Sequence, residues 1–200
     1  AANQEEPGAG NKWVVKVSSI NDLSQAYAFK TVALMQASAI TFPVGKEIFW
    51  EGYHVELDGG GNRGVVKSGA HTDDGGSIFT LANGNYVAAS LRADKLNVKR
   101  FGAIGSGLPT TNDTSALQSA INYAVSQVTI AITNPIFAAY GGGSVEIYFP
   151  AGAYRTTSPL VLTGVQGVKL SGDGLVSSSI ILDATSTEMF TVNGYVGLSF

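Results

Sequence analysis

The segment Val145–Leu182 reads VEIYFPAGAYRTTSPLVLTGVQGVKLSGDGLVSSSIIL and decides the fold of this chain. Apolar residues occupy every second position at Val145, Ile147 and Phe149, which is the period of a β-strand with one buried face. Turns rich in Gly, Ser, Pro and Asp then separate further short apolar runs. We predict strands at Tyr154–Thr157, Leu160–Leu162, Val168–Leu170, Ile180–Leu182, Met189–Val192 and Leu198–Phe200.

The apolar pattern of the first strand repeats 21 residues further along the chain, from Ile147 to Val168 and from Phe149 to Leu170. Short strands with a period near 20–25 residues are typical of a β-solenoid, in which each coil buries its apolar face against the next. The sequence therefore predicts a stack of coils after residue 140.

One amphipathic helix precedes these strands. Its apolar stripe has the spacing i, i+3, i+4, i+7, and residues Asn112 to Ser115 are all types that favour a helix start. Ser115-x-x-Gln118 fits a capping box, and Asp113 suits the positive end of the helix. We expect this helix to cover the exposed end of the stack, where unpaired strand edges would promote aggregation. The stripe consists of Leu117, Ala120, Ile121, Ala124, Val125 and Val128.

Composition divides the 200 residues into two parts and excludes several classes of protein. Residues 1–100 carry ten Lys/Arg and ten Asp/Glu, whereas residues 101–200 carry two and five. The chain is 44% hydrophobic with 25 glycines, has no cysteine, and has a net charge of −3. These values exclude a disordered chain and a disulfide scaffold, and they offer no basic surface for nucleic acid. The opening residues do not have the pattern of a secretory signal and no apolar run is long enough to span a membrane, so we expect neither a secretory leader in these residues nor membrane insertion.

The first half is predicted to be a small, mostly β module with glycine-rich turns. We expect a lead-in at 1–11, a module at 12–97, and the helix with the first coils at 98–200. Within the module, capping residues after Ser18 predict a short helix from Leu23 to Lys30. Asp58 and Asp73-Asp74 stand before glycines and mark turns. Strands are expected at Val14–Val17, Glu47–Glu56, Gly64–Lys67, Ser77–Leu81 and Tyr86–Leu91.

Four motifs occur in an order that resembles a known family. They are VKRFGA (98–103), NDTSALQSAI (112–121), GGSVEIYFPAGAY (142–154) and VKLSGDG (168–174). Together they resemble the opening of pectate-lyase-like right-handed parallel β-helix proteins. Gly52-Tyr53 and the two Asp-Gly turns upstream resemble the N-terminal module of bacteriophage tailspikes.

The resemblance implies a mainly β fold: a small β-rich module, a capping helix, and the first coils of a right-handed parallel β-helix. It also implies a homotrimer attached to a phage tail, baseplate or adaptor protein, whose β-helix recognises and depolymerises a bacterial capsule or lipopolysaccharide glycan. Two alternatives stay open. One is a secreted polysaccharide lyase or hydrolase, and the other is a non-catalytic receptor-binding or adaptor fibre.

Carboxylates and histidines are the first candidates for chemistry. Asp73-Asp74 could bind a cation or act as an acid–base pair, although both residues and Asp58 equally suit turns. His54 and His71 lie far apart in the sequence and lack partner ligands, so we expect no metal site and no cofactor. Asp173 is typical of a turn, and Glu146 and Asp183 are typical of strand flanks.

Aromatic residues are the second group of candidates, because sugars stack on their rings. Lys12-Trp13 and Phe49-Trp50 are expected in a core or an interface rather than at a sugar. Tyr148, Tyr154 and Arg155 lie on the first coils, where they could contact a sugar or simply stack within the solenoid.

A glycosidase needs two carboxylates about 5–9.5 Å apart, usually from neighbouring coils. The catalytic residues therefore stay unknown, and we expect them to lie outside this chain, in a longer protein that continues beyond the apolar ending Gly197–Phe200.

Overall fold

The computed structural model describes residues 27–92, 94–133, 145–163, 167–183 and 188–193. For residues 129–133 it describes the backbone only. Several predictions lie outside these residues and stay predictions. They are the lead-in at 1–11, Lys12-Trp13, the strand Val14–Val17, the start of the first helix at Leu23, and the strand Leu198–Phe200.

The first part of the described chain is a five-stranded sheet with one short helix. Strand β1 lies parallel to β2, and the remaining neighbours in the order β1-β2-β3-β5-β4 are antiparallel. Trp50 and Phe79 meet edge to face in its core, with ring centroids 5.4 Å apart. The elements are β1 (Tyr27–Thr31), α1 (Val32–Gln36), β2 (Glu47–Gly52), β3 (Asn62–Lys67), β4 (Ile78–Thr80) and β5 (Tyr86–Ala89).

Two predictions in this part are wrong by more than two residues, one in the type of element and one in where a strand ends. Tyr27–Lys30 is strand rather than helix, because the segment pairs with β2 and packs Tyr27 and Phe29 edge-on against Phe42. The helix begins only at Val32, after Thr31 accepts a hydrogen bond from the Leu34 N–H. The strand expected to reach Glu56 ends at Gly52.

The second part of the chain forms two stacked coils, each with three strands. Strands β10, β11 and β12 pair in parallel with β7, β8 and β9 respectively, so each coil places one strand on each of three sheets. This is the predicted β-helix. Its elements are β6 (Lys95–Asn97), a 3₁₀ helix (Val98–Phe101), α2 (Thr114–Thr133), β7 (Val145–Phe149), β8 (Gly152–Thr156), β9 (Leu160–Thr163), β10 (Val168–Gly172), β11 (Ser178–Leu182) and β12 (Phe190–Asn193).

The predicted spacing of 21 residues is wrong by two positions. Val145 lies opposite Val168, which is 23 positions further on, and Ile147 lies opposite Leu170. A shift of two residues keeps the same side chains facing inward, so both spacings bury apolar residues. In the observed alignment the Ser178 hydroxyl donates to the Phe149 carbonyl of the neighbouring coil. The spacing grows to 26 at β8 (Gly152 to Ser178) and to 30 at β9 (Leu160 to Phe190).

The first coil has a leading edge, and the preceding chain covers it on all three sheets. Strand β6 pairs with β7. Residue Ser106 makes a parallel bridge to Ala153 in β8. On β9, the Gln118 amide of α2 accepts from the Val161 N–H at 2.8 Å and donates to the Val161 carbonyl at 2.9 Å. The predicted covering of the end of the stack is therefore present.

Helix α2 buries the predicted apolar stripe but starts differently from the prediction. Leu117, Ala120, Ile121, Ala124 and Val128 are at most 1% exposed, whereas Val125 packs at the margin of the core. The expected capping box is absent because the helix begins at Thr114 and its Gln118 bonds to β9. The buried Asp113 carboxylate accepts N–H bonds from Ile104 and Gly105 instead of bonding to its own helix.

Candidate functional site

The outward face of the first β-helix sheet carries the densest group of interacting polar side chains on the described coils. Pairing places Lys95, Glu146 and Lys169 side by side across β6, β7 and β10, and it places Tyr148 beside Ser171. The inward residues between them are apolar, so alternation turns these polar residues outward. We call this group, completed by Asp173 after β10, the polar face.

Glu146 is the carboxylate at the centre of the polar face. It accepts a hydrogen bond from the Ser171 hydroxyl at 2.6 Å, and its oxygens lie 3.4 Å from Lys169 Nζ and 3.8 Å from Lys95 Nζ. The Ser171 bond is the main cause that lowers the Glu146 pKa, and both lysines add to it against the opposing effect of burial. Glu146 is therefore ionised at neutral pH.

Tyr148 and Asp173 form the second half of the polar face. The Tyr148 hydroxyl donates to one Asp173 oxygen, and the other oxygen accepts the Ala151 N–H at 2.8 Å. The bond between them is the main cause that lowers the pKa of Asp173 and raises the pKa of Tyr148, and the Ala151 bond lowers the pKa of Asp173 further. The Lys95 ammonium stands 3.9 Å from the centre of the Tyr148 ring, at cation–π distance.

The polar face has the chemistry of a recognition surface rather than of an acid–base site. A glycosidase needs one carboxyl group held protonated as the general acid, beside a second that stays ionised. Here both Glu146 and Asp173 have lowered pKa values, so neither supplies that acid. Two lysines, two carboxylates, a tyrosine and a serine nevertheless present donors and acceptors that match the hydroxyl groups of a sugar.

The other candidates on the coils have structural partners. Arg155 forms an ion pair with Asp183 between β8 and the end of β11. Tyr154 is fully buried, donates its hydroxyl to the Pro150 carbonyl at 2.8 Å, and meets the Phe149 ring edge to face. Burial raises the pKa of Tyr154, which keeps its hydroxyl protonated. Tyr154 therefore stacks inside the coil, and only Tyr148 of the two tyrosines faces outward.

The candidate carboxylates of the first module organise loops, as their positions before glycines predict. Asp58 accepts backbone N–H bonds from Tyr53, His54, Val55 and Gly60. Burial opposes ionisation of Asp58, but these four bonds outweigh it and lower the pKa.

The carboxylates of Asp73 and Asp74 also accept hydrogen bonds, mostly from their own loop. Asp73 accepts from the N–H groups of Gly75 and Thr80 and from the Gln36 amide. Asp74 accepts three further backbone N–H bonds and the Ser77 hydroxyl. Neither carboxylate is placed as a free acid or base.

The histidines and the paired aromatics of the first module likewise have local partners. His54 Nε2 lies 2.7 Å from the Gly102 carbonyl, and His71 stacks on Tyr86 with ring centroids 4.5 Å apart. Trp50 lies in the core of the module, while Phe49 is half-buried on the other side of β2. Within the described ranges, no group of three or more His, Asp or Glu side chains could hold a metal ion.

Sequence reasoning missed Lys95, Lys169 and Ser171 as members of the polar face. Each is an ordinary residue in its own segment, and only the pairing of strands brings the three beside Glu146 and Tyr148. The signal that could have found them is the 23-residue register, which aligns Lys169 with Glu146 and Ser171 with Tyr148.

Two parallel coils on three sheets, preceded by a covering helix, define a parallel β-helix protein. The chain belongs to the rhamnogalacturonase A/epimerase, pectate lyase-like family, whose model matches residues 95–197. This match spans the covering helix and both coils. No curated protein matches the chain.

Solved structures with a similar fold include several phage tailspikes. The gp42 tailspike of Acinetobacter phage vb_AbaP_AS12 is 15% identical with a TM-score of 0.57, over 82% of this chain and 24% of that one. The enzymatically active domain of tailspike protein 4 from bacteriophage CBA120 is 16% identical with a TM-score of 0.54. This match covers 90% of this chain and 23% of that one. Tailspike gp49 of Acinetobacter baumannii bacteriophage Fri1, a capsular polysaccharide depolymerase, is 16% identical with a TM-score of 0.54. The match covers 74% of this chain and 23% of that one.

These similarities establish the fold, and the chain spans about a quarter of the length of the tailspike structures it matches. The described helices include none that is both long and apolar enough to cross a membrane.

Proposed function

We propose that this chain forms the front part of a homotrimeric phage tailspike that binds and depolymerises a bacterial capsule or lipopolysaccharide. The observation that carries the proposal is the joining of a small β-rich module directly to the first coil of a pectate lyase-like β-helix. The fold shared with tailspikes, one of which is a capsular polysaccharide depolymerase, supports it. In this proposal the protein belongs to the virion tail and meets the host surface during adsorption.

The module at 12–97 attaches the protein to its tail or adaptor partner in this proposal, and the described contacts suit that role. Tyr53 donates its hydroxyl to the Gly75 carbonyl at 2.9 Å, and its ring lies where a Cβ on Gly102 would be only 2.8 Å away. His54 also bonds to Gly102, at the start of the β-helix part. Such close packing lets an attachment module hold the β-helix in a fixed orientation relative to itself.

Within these residues the proposed role is structural and recognitive, and the catalytic carboxylates lie elsewhere in the complete protein. The ionised state of Glu146 and Asp173 supports this division. The low number of charges after residue 100 supports a trimer, because the centres of protein interfaces are depleted in charged residues.

The test uses the complete product of the gene. Purified capsule or O-antigen is incubated with it, and new reducing or unsaturated ends are measured; their appearance supports depolymerisation and tells hydrolysis from elimination. Light scattering should give the mass of a trimer, and a monomer would contradict the tailspike proposal.

A non-catalytic receptor-binding fibre is the second candidate, because the polar face presents hydrogen-bond donors and acceptors that a glycan can bind without being cleaved. Glycan binding without new chain ends in the same incubation would favour it. Neither binding nor cleavage of any host glycan would overturn both candidates.

A further inference from the structure

A cleft separates the loop at 73–77 from helix α2, on a different part of the molecule from the polar face. Its volume is about 410 Å³, which lies within the range of small-molecule sites. Phe101 lies directly behind it, since the ring of Phe101 contacts both Gly76 of the loop and the ring of Tyr123 on the helix. The cleft is lined by Asp74, Ser77, Ser119, Asn122, Tyr123, Ser126 and Gln127.

Every residue that lines the cleft has a polar side chain and Asp74 is the sole charged one, although carbon atoms make up most of the accessible lining surface. The other six side chains end in hydroxyl or amide groups. Helix α2 contributes five of them and carries no Asp, Glu, Lys, Arg or His over its 20 residues. Hydroxyl and amide groups both donate and accept hydrogen bonds, so this surface can satisfy a ligand that does the same.

Asn122 is held in place for such a ligand by a chain of hydrogen bonds. The Val161 backbone on β9 fixes the Gln118 amide, and Gln118 Nε2 donates to Asn122 Oδ1 at 2.8 Å. With Oδ1 occupied as an acceptor, the Nδ2 group of Asn122 is the part that can donate into the cleft. Burial, aided by the charge of Asp74, raises the pKa of Tyr123, so its hydroxyl also stays protonated.

The chemistry of the lining excludes several classes of ligand. A phosphate or another anion would face the Asp74 carboxylate with no lysine or arginine in the lining to bind it. A cation would find only one carboxylate in the lining, whose Oδ1 already accepts three N–H bonds, so only Asp74 Oδ2 keeps a free lone pair. Ser77, Ser126 and Gln127 already bond within the protein, but a wholly apolar ligand would remove water from Asn122 Nδ2 and the Tyr123 hydroxyl without replacing its hydrogen bonds.

We propose that this cleft is a binding site for a neutral saccharide unit. The aromatic ring and hydroxyl of Tyr123, the Asn122 amide and the Asp74 carboxylate together offer the stacking surface, donor and acceptor that a sugar ring with several hydroxyl groups requires. The inference stands on this lining alone and does not depend on the proposed depolymerase activity, because the cleft contains no acid–base pair.

The test measures saturation-transfer NMR on the protein with N-acetylglucosamine, galactose and rhamnose as neutral probes and glucuronate as the charged probe. We expect saturation of at least one neutral sugar and weaker binding of glucuronate, because its carboxylate meets Asp74. Asn122→Asp keeps the shape of the side chain but replaces the donor with a charge, and it should weaken binding at least about tenfold. Tyr123→Phe removes one hydroxyl and should weaken binding about threefold to tenfold.

Ser115→Ala is the matched control, because Ser115 is an exposed hydroxyl residue of α2 outside the lining. It should leave sugar binding unchanged, and thermal unfolding shows whether each variant is folded. Absence of saturation for all three neutral sugars overturns the proposal, as does binding that Asn122→Asp and Tyr123→Phe leave unchanged. Polysaccharide cleavage by the complete protein is measured separately. A lack of sugar binding at the cleft can therefore be distinguished from a lack of the proposed depolymerase activity.

Discussion

Gly76 offers the sharpest test of how the first module is joined to the β-helix. A Cβ at this position would lie 1.9 Å from Phe101 Cδ1, 2.3 Å from Cε1 and 2.6 Å from Cγ. Ordinary Cβ contacts are longer than 3.0 Å, so Gly76→Ala requires the ring to retreat by at least about 1 Å. Phe101 is 2% exposed and belongs to the core of the β-helix part, which leaves the ring little room.

The expected cost follows from two limits. Overpacking a core with one extra carbon costs about 1–3 kcal/mol when neighbours can adjust. Complete loss of a buried phenylalanine ring costs about 3–5 kcal/mol. Because the ring itself must shift, we expect Gly76→Ala to lower the free energy of unfolding by about 3 kcal/mol. For a chain of this length that corresponds to a fall in Tm of about 6–12 °C.

The assay is thermal and urea unfolding at one protein concentration, with Gly84→Ala as the control. Gly84 has a φ of +83° and nothing within 4 Å of a new Cβ, so its substitution should cost only the backbone strain of about 1–2 kcal/mol. The double variant Gly76→Ala/Phe101→Leu should be more stable than the sum of the two single effects predicts, by about 1 kcal/mol or more. If Gly76→Ala costs no more than Gly84→Ala, or if the two effects simply add, the close contact does not exist as described.

Three further outcomes are expected. Gln118→Leu removes both bonds to the Val161 backbone and should cost about 1–3 kcal/mol in urea unfolding, whereas an unchanged midpoint would mean that water replaces the amide equally well. The lowered pKa of Asp58 means that its stabilising effect is complete at neutral pH and is lost as pH falls below about 4. Asp58→Asn should therefore reduce the fall in Tm at low pH, and curves of Tm against pH that run parallel for the variant and the unchanged protein would contradict this. Glu146→Gln breaks two ion pairs to exposed lysines but keeps an oxygen that can accept from the Ser171 hydroxyl, so it should lower stability by less than about 1 kcal/mol, and a larger loss would show that the polar face holds the coils together.

The sequence predicts the strands and the main helix of the β-helix part because their periods are strong and local. Leu117 to Val128 follow the helical period, and the strands at Val145 and Leu160 alternate over several residues. Tyr27–Lys30 has no such pattern. Its structure depends on pairing with β2, about 20 residues away, and local capping signals cannot report that pairing.

The candidate site depends on register more than on local pattern. Two alignments of β7 with β10 bury the same faces, and the apolar pattern alone does not distinguish them. The choice determines whether Lys169 lies beside Glu146. For the same reason Gln118, which suits a local cap, instead completes the edge of β9.

The covered leading edge has a consequence for the order of folding. Leu96 pairs with Ile147, which is 51 positions further on, whereas each later pairing between coils joins residues only 23 to 30 positions apart. Closing the longer loop costs more chain entropy, and it brings little reward until α2 is also in place. We therefore expect the first coil to form more slowly than the second, whose strands then pair with it by closing shorter loops.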